Sequence, residues 1–495
     1  MEKSLEAIIP EIIFTEGSAD IPQPIAKEVV SVVLQQLRDG VDVKSREEAV
    51  QLEQKANEKV KDLINSNNLK SGSLHQFTVS LLKHSKDPRR LPIASRLFII
   101  AFDRDPLTMP DPTAATMQEG SPLHAATQWG TNAAGYNWAS MVLSGQASPP
   151  VGLHLLERGS AETRDAIKDQ QAAAIRVYAT LATQGDAQGM LGMGRILLAS
   201  ARKTDDGKED EQTQKAQSEM MKSRAILLWT KAGEKGLTEA WFELGLLSLN
   251  SMKEGSAEEE NVKHSQTAQG YFERGADKDN VRCHHALAIM LAQRAMMDNT
   301  SPSSPERNLC LQKAIEHFQK AANLGDGQSA HEVGMRYLLR QEMLEEIGLG
   351  SESDGRDAEK VREQAKERHL GLWGVKPDDV TAKEWFSKGA DAGFMPAMMN
   401  FAGMLYEGRG AAPPVAGEDA NVVRLKELKK AESLYAKVAA QAGIMAQQQQ
   451  KSMAGGSGED QMASASAQMT AEMATFAQDA LGKVQEAMKE LSGEV

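Results

Sequence analysis

Six stretches of the chain repeat one pattern of apolar, small and polar positions. Each opens with an alanine (position 0), carries large apolar or aromatic residues at positions +3 and +4, and has a small residue at +8. Position +11 is glycine in four of the six copies. The opening alanines are Ala174, Ala225, Ala268, Ala314, Ala382 and Ala431. Offsets of 0, 3, 4, 7 and 8 share one face of an α-helix, so each copy predicts a first helix that ends at +11.

A second helix repeats behind the first. Position +15 is small in every copy, and position +20 is Gly or Ala in five copies, whereas the sixth has Lys451 there. Asp186 and Asp326, directly after two of the +11 glycines, are predicted to cap the second helix. Small residues at fixed sites predict helices in close contact. One such pair cannot bury its apolar face alone, so the pairs are expected to stack.

The residues of three copies carry a family resemblance. AKEWFSKGADAGFMPAMMNFAGMLYEGRG at 382–410 matches best, followed by the copies at 225–247 and 314–338. The pattern resembles the Sel1-like repeat family, a relative of the tetratricopeptide repeats, over roughly residues 172–443. Two departures are the long spacings between copies and the third copy, which has Asp279 and Ala288 where glycine is expected. The resemblance implies a helical solenoid that binds proteins, including work in the assembly or quality control of complexes.

The predicted fold is therefore all-α: a right-handed α/α solenoid of about six helix pairs, with a helical N-terminal extension and a C-terminal helix. The predicted divisions are a helical N-terminal region, a degenerate repeat that includes Tyr136, the solenoid, a low-complexity linker and an amphipathic C-terminal helix. Their bounds are 1–120, 121–171, 172–445, 446–461 and 462–495.

Apolar spacing outside the repeats predicts further helices and insertions. In the N-terminal region we expect helices at 24–37, 45–64, 74–82 and 93–102, then a proline-rich loop at 103–122. Charged insertions are expected at 203–222, as a mobile segment, and at 345–369, with a charged helix in its second half. The C-terminal helix carries an apolar stripe that either caps the solenoid or docks into another protein, namely Met469, Met473, Phe476, Ala480, Val484, Ala487 and Leu491.

Net charge and targeting signals limit which classes of partner and which cellular compartments are expected. The net charge is −13 with a pI near 5.4 and no basic block, which disfavours nucleic acid as a partner. The most apolar stretch, at 97–102, is too short for a membrane span, and the N-terminus fits neither a secretory signal nor a presequence. Two cysteines, Cys283 and Cys310, fit a reducing compartment. We expect a cytoplasmic protein; the alternatives are mitochondrial import without a presequence and membrane association through a partner.

Candidate chemistry is sparse. His284 and His285 beside Cys283 are the one histidine cluster, and adjacent residues on a helix point in different directions, so no metal site is expected. Trp229, Phe272, Phe318 and Trp385 are interpreted as core packing at one repeat position. No catalytic, cofactor-binding or metal-binding residue is predicted, and the protein-binding residues are left open. The predicted function is a non-catalytic protein-binding scaffold or adaptor whose groove holds protein segments; the alternative is a hydrolase with a cryptic site in the N-terminal region.

Overall fold

The computed structural model describes most of the chain as helix. It covers residues 2–15, 20–102, 131–149, 153–157, 159–202, 211–252, 258–297, 304–339, 355–411, 419–453 and 461–492. These residues form twenty α-helices and one 3₁₀ turn, and none of them lies in a β-strand. The predicted all-α class is confirmed. The chain divides into two compact units, 1–244 and 245–495, and each is described by itself.

The first unit opens with helices that do not follow the repeat pattern. All four predicted helices are present, and Ser45 caps α4 by accepting a hydrogen bond from the backbone N–H of Glu48. The predicted loop at 103–122 lies outside the described residues, as does Trp129 of the predicted degenerate repeat. The helices are α1 (Glu2–Ile8), α2 (Ile12–Thr15), α3 (Gln23–Asp42), α4 (Arg46–Ser66), α5 (Ser71–His84), α6 (Arg90–Phe102) and α7 (Asn132–Leu143).

The repeats begin within the first unit, with α8 (Ala161–Thr183), α9 (Ala187–Arg202), α10 (Glu211–Glu234) and α11 (Thr238–Asn250), whose residues up to Leu244 belong to it. One prediction fails here. The insertion at 203–222 was expected to be mobile, but its residues from 211 onward form the first three turns of α10. The sequence EQTQKAQSEMMK consists largely of strong helix formers, so the repeat helix extends backward through it.

The second unit holds the remaining repeats and the C-terminal helix. The second half of the insertion at 345–369 is the charged helix that was expected there. The helices are α12 (Glu258–Ala276), α13 (Val281–Met297), α14 (Pro305–Asn323), α15 (Gly327–Tyr337), α16 (Gly355–Trp373), α17 (Asp379–Asp391), α18 (Met395–Glu407), α19 (Ala420–Met453) and α20 (Gln461–Ser492).

The repeat register is confirmed at the level of single residues. All six opening alanines are completely buried, and so, almost fully, are the six large residues at +4. The +11 residue has positive φ in five copies: Gly185, Gly236, Asp279, Gly325 and Gly393. Asp279 takes the left-handed conformation (φ 56°) without being glycine, which an Asp tolerates better than most residues. Asp186 and Asp326 each accept a backbone N–H three residues on, as expected of helix caps.

The sixth copy departs from the prediction. Its +11 residue is Ala442, which is buried within α19, and the helix continues to Met453. Alanine favours the helix and disfavours the left-handed turn that glycine supplies elsewhere, so the chain does not fold back at this point. The first part of the predicted linker at 446–461 is therefore helical. The chain turns later, and α20 packs against α19 in place of the second helix.

A fixed contact joins successive repeats. The small +20 residue of one second helix receives the +4 ring of the next first helix. A Cβ built on Gly194 would overlap the indole of Trp229, one on Gly245 would overlap Phe272, and one on Gly334 would lie 2.7 Å from the ring of Phe386. Two other junctions use alanine, with Ala288 in one buried cluster with Phe318 and Ala402 in one with Tyr435. We call the small +20 residue the +20 socket, because the +4 ring of the next first helix packs against it. The handedness of the solenoid and the predicted domain boundaries stay predictions.

Candidate protein-binding surface

The first helices of three successive repeats in the second unit carry the same surface pair. Position +3 is a half-buried ring and position +6 is an exposed cation. Residues three apart on a helix are neighbours, so each ring lies beside its cation. We call this set the ring–cation row; its members are Tyr271 and Arg274 on α12, His317 and Lys320 on α14, and Trp385 and Lys388 on α17.

The pair on α17 shows how the row is held. The Nζ atom of Lys388 lies 4.0 Å from the centre of the Trp385 ring, within the range of a cation–π contact. The same Nζ donates a hydrogen bond to Oδ1 of Asn323 at the end of α14, at 3.1 Å. Underneath, the indole packs against the buried cluster of Ala288, Phe318 and Val333. Trp385 therefore contacts both an exposed lysine and the buried core.

His317 on α14 is held in the neutral state. Its Nδ1 lies 2.9 Å from Nδ1 of His284 on α13, a hydrogen bond in which one imidazole donates and the other accepts. Burial, the neighbouring His284 and Lys320 lower the pKa of His317 to about 4. Burial and then Lys320 also lower the pKa of His284, against a smaller opposite effect of Asp279. At neutral pH the positive charge of the row therefore resides on Arg274, Lys320 and Lys388.

A second histidine position links the second helices. His285 and His331 both lie at +17, a shared offset that is visible in the sequence but was not among the predicted candidates. The Nδ1 atom of His285 is 2.7 Å from Oγ of Ser329 and 3.2 Å from Oδ2 of Asp326. The side-chain amide of Asn400 donates to Nε2 of His331 at 3.0 Å. These contacts join consecutive repeats, so we assign both histidines to stacking.

Asp326 combines two of these roles. Burial works to raise the pKa of its carboxyl, but hydrogen bonds from His285 and Ser329 outweigh it and hold the pKa at about 2. Its Oδ2 accepts the backbone N–H of Ser329 and so caps α15. His284 and His285 thus point to different elements, as expected for adjacent helical residues: His284 contacts α14, and His285 contacts the start of α15.

Other chemistry is sparse in the described part of the chain. No three His, Cys, Asp or Glu side chains converge there as a metal ion would require. Cys283 is buried at its +15 packing site, and Cys310 is half-buried. A shallow depression of about 410 Å³ on α10 is lined by five uncharged residues: Gln212, Thr213, Ala216, Gln217 and Met220. Within the same residues, no helix is both long enough and apolar enough to cross a membrane.

One residue of the predicted aromatic core is placed differently. Trp229, Phe272 and Phe318 are buried at +4 as expected. Trp385 lies one residue earlier, at +3, and is only half-buried under Lys388, because Phe386 fills the core position behind it. The cations at +6 were not singled out from the sequence. Their signal was the constant offset, which Lys231 and Lys437 in two further copies share.

Comparison with known proteins agrees with the repeat geometry. The family model described as "Sel1 repeat" matches residues 306–326 and 365–394. These two segments cover most of α14 and the stretch from α16 through α17. No curated protein sequence matches the chain.

Solved structures that resemble the chain do so at low identity. A Sel1 repeat protein from Oxalobacter formigenes is 13% identical over 72% of this chain and 96% of its own, with a TM-score of 0.32. The immunity protein Pa5087 from Pseudomonas aeruginosa is 14% identical over 66% and 83%, with a TM-score of 0.33.

A third structure is the protective antigen c5321 of uropathogenic Escherichia coli, which displays an SLR fold. It is 13% identical over 95% of both chains, with a TM-score of 0.24. The family match and the confirmed register carry the assignment without these structures. The chain therefore contains Sel1-like repeats, a repeat type whose proteins are generally protein-interaction scaffolds.

Proposed function

We infer that the chain is a non-catalytic adaptor that binds protein segments along the ring–cation row of its second unit. The observation that carries this proposal is the recurrence of one ring and one exposed cation at the same two positions of three successive repeats. Core packing explains a recurring buried residue, but it does not require an exposed cation beside a half-exposed ring. Repeat proteins use such per-repeat positions to bind extended segments.

The chemistry of the row suggests the kind of segment. Half-buried rings offer apolar surface, and the cations at +6 pair with carboxylates. The second helices α13 and α15 pack between the first helices that carry the row, so the ring–cation pairs are spaced along the array. The fitting ligand is therefore an extended segment in which apolar and acidic residues recur. Because the whole chain carries −13, local cations are needed to bind such a segment.

We further propose that bound segments belong to proteins that this chain holds during assembly or quality control of a complex. Scaffold function in the Sel1 repeat family supports the general role. Proximity labelling in cells, followed by affinity purification of the full chain, would name the partners. Acidic segments with interspersed apolar residues are expected to be enriched among them.

Charge reversal tests the row directly. The variant Arg274→Glu/Lys320→Glu/Lys388→Glu is expected to weaken binding of the purified partners by about tenfold or more, because three attractive contacts become repulsive. The matched control is Lys429→Glu/Lys483→Glu/Lys489→Glu, which makes the same charge change at exposed lysines of α19 and α20. Unchanged binding in the first variant, or equal loss in both, would contradict the assignment of the row.

A further inference from the structure

The last two helices are much longer than the repeat that supports them. α19 and α20 have 34 and 32 residues, or about 50 Å each, whereas α18 has 13 residues, or about 20 Å. The buried cluster that joins α18 to α19 reaches Val438 and, partly buried, Ala439. Beyond that point, α19 and α20 extend as a two-helix hairpin. We call residues 439–449 of α19 and 466–478 of α20 the distal hairpin.

The apolar side of this hairpin continues past the end of α18. On α20 the proximal part of the stripe, from Ala480 to Leu491, packs against the cluster. Further out, Met473 and Ala477 still pack into the cluster, but Met469 and Phe476 beside them do not and are 67% and 59% exposed. On α19, Met445 follows the buried Leu434 by 11 residues, about three turns, so it lies on the same side and is 42% exposed. The side that α18 covers near the core is thus left open further out.

This open face is nearly free of charge. Residues 439–453 and 461–478 contain one charged residue each, Lys451 and Glu472, in a chain in which 25% of residues are charged. The remaining residues are mostly Ala, Gln, Met, Ser and Thr. Alanines permit close helix approach, while Met and Phe supply the residue types enriched in interface cores. Because this face has almost no charged side chains, it is not suited to a partner that binds through ion pairs.

We propose that the distal hairpin binds the distal hairpin of a second copy of this chain, forming a four-helix bundle. Two chains of net charge −13 repel each other, so they associate best where neither carries charge, and a second copy presents the same neutral face. In a dimer with two-fold symmetry, the same face of each copy packs against the other. The face is about 20 Å long and two helices wide, so burying it would remove roughly 600 Å² from each copy, enough for a small stable interface.

The test is the oligomeric state of the full chain, measured by sedimentation velocity between about 1 and 100 μM. We expect a discrete dimer. The variants Phe476→Glu and Met469→Glu are expected to raise its dissociation constant by about tenfold or more, because each places a carboxylate in an apolar contact. The control is Ile444→Glu, since Ile444 is 57% exposed but lies 100° around α19 from Met445 and faces away from α20. Circular dichroism melting of each variant shows whether the fold is retained.

A dimer that Phe476→Glu dissociates and Ile444→Glu preserves would support the proposal. A chain that stays monomeric over the whole concentration range would overturn it. So would a dimer that both carboxylate variants leave intact, or one that Ile444→Glu alone dissociates, because the interface would then lie elsewhere. A monomer that captures a different protein through Phe476 would also overturn it. None of these outcomes depends on the ring–cation row, so the adaptor proposal is tested separately.

Discussion

Single glycines decide how closely neighbouring repeats pack. In the second unit, Gly334 and Gly270 both lie inside helices, but their surroundings differ. A Cβ at Gly334 would lie 2.7 Å from the ring of Phe386, whereas a Cβ at Gly270 would have no atom within 4 Å. Glycine in a helix costs conformational entropy in both places. Only at Gly334 does close contact compensate for that cost.

The two glycines therefore predict opposite effects of one substitution. Gly334→Ala is expected to lower the free energy of unfolding by about 1–3 kcal/mol, because the methyl group overpacks against Phe386. Gly270→Ala, the matched control, is expected to raise it by about 0.5–1 kcal/mol through helix propensity. Urea denaturation of the purified chain measures both. Stabilisation by Gly334→Ala would show that the ring of Phe386 accommodates the added methyl group and that close packing does not require glycine at this site.

The histidine pair makes stability depend on pH. The pKa of His317 is about 4 in the folded chain, below its ordinary value of 6.5, so folding favours the neutral form. Its contribution is present above pH 6.5 and is lost as the pH falls from 6.5 through about 4. For this partly exposed group we expect about 1–2 kcal/mol over that window after allowance for solvent screening.

Urea midpoints at pH 7 and pH 4.5 would measure that dependence. His317→Gln is expected to reduce the difference between the two midpoints, because glutamine does not titrate. His154→Gln serves as control, since His154 is exposed on the 3₁₀ turn of the first unit. An unchanged difference in His317→Gln would mean that other groups dominate the acid sensitivity.

At the scale of helices, the sequence identified the repeats well because the offsets between key positions are the same within every copy. The first helices end where a residue with positive φ stands, and this held even at Asp279. Ala442 was visible as an exception, but the pattern alone did not show where the chain would turn instead. The exposure of Phe476 was also beyond prediction, since a helical stripe shows which side is apolar but not where the covering helix ends. The ring–cation row required knowing that +3 is half-buried and +6 exposed.

The C-terminal helix supplies the prediction at this scale. Val484 and Ala477 of α20 are buried in one cluster with Leu434 and Val438 of α19. Deleting residues 462–495 exposes that cluster, so the melting temperature is expected to fall by about 5 °C or more. Light scattering should show polydisperse aggregates rather than a discrete dimer. If the truncated chain stayed stable and monodisperse but lost a partner, α20 would be a docking helix and not a cap.

At the scale of the whole molecule, the chain is a series of repeats, and each repeat contacts mainly the repeats next to it in sequence. In the second unit the helix contacts run from α12 to α13, α13 to α14 and α14 to α15, and then from α15 to α17. Stability in such a chain is approximately a sum over repeats and the junctions between them. Removing one complete period should therefore preserve the rest of the array.

Deletion of residues 314–381 tests this additivity. It joins Lys313 to Ala382, which keeps the first-helix register because Ala314 and Ala382 are equivalent. We expect a chain that is still helical by circular dichroism and unfolds cooperatively, with lower stability. Deletion of residues 327–381 is the control, since it removes the second helix α15 together with α16 and joins the first helix α14 directly to the next first helix, α17. It is expected to aggregate. Similar behaviour of the two deletions would contradict the modular account.

The +20 sites differ in size, and this difference limits how the number of repeats in the protein can change. Ala288 receives Phe318, whereas Phe386 belongs to the roomier site at Gly334, so deleting the period between them would bring Phe386 onto Ala288. Phe386 would then pack against the methyl group of Ala288 in place of a glycine. Ala288 already packs against a phenylalanine, Phe318, so the new contact has a precedent. Loss of one period by recombination is thus sterically tolerable at this junction. Insertion of a period with tryptophan at +4, like that of Trp229, after Ala288 would place a larger ring against an alanine, and overpacking would disfavour it.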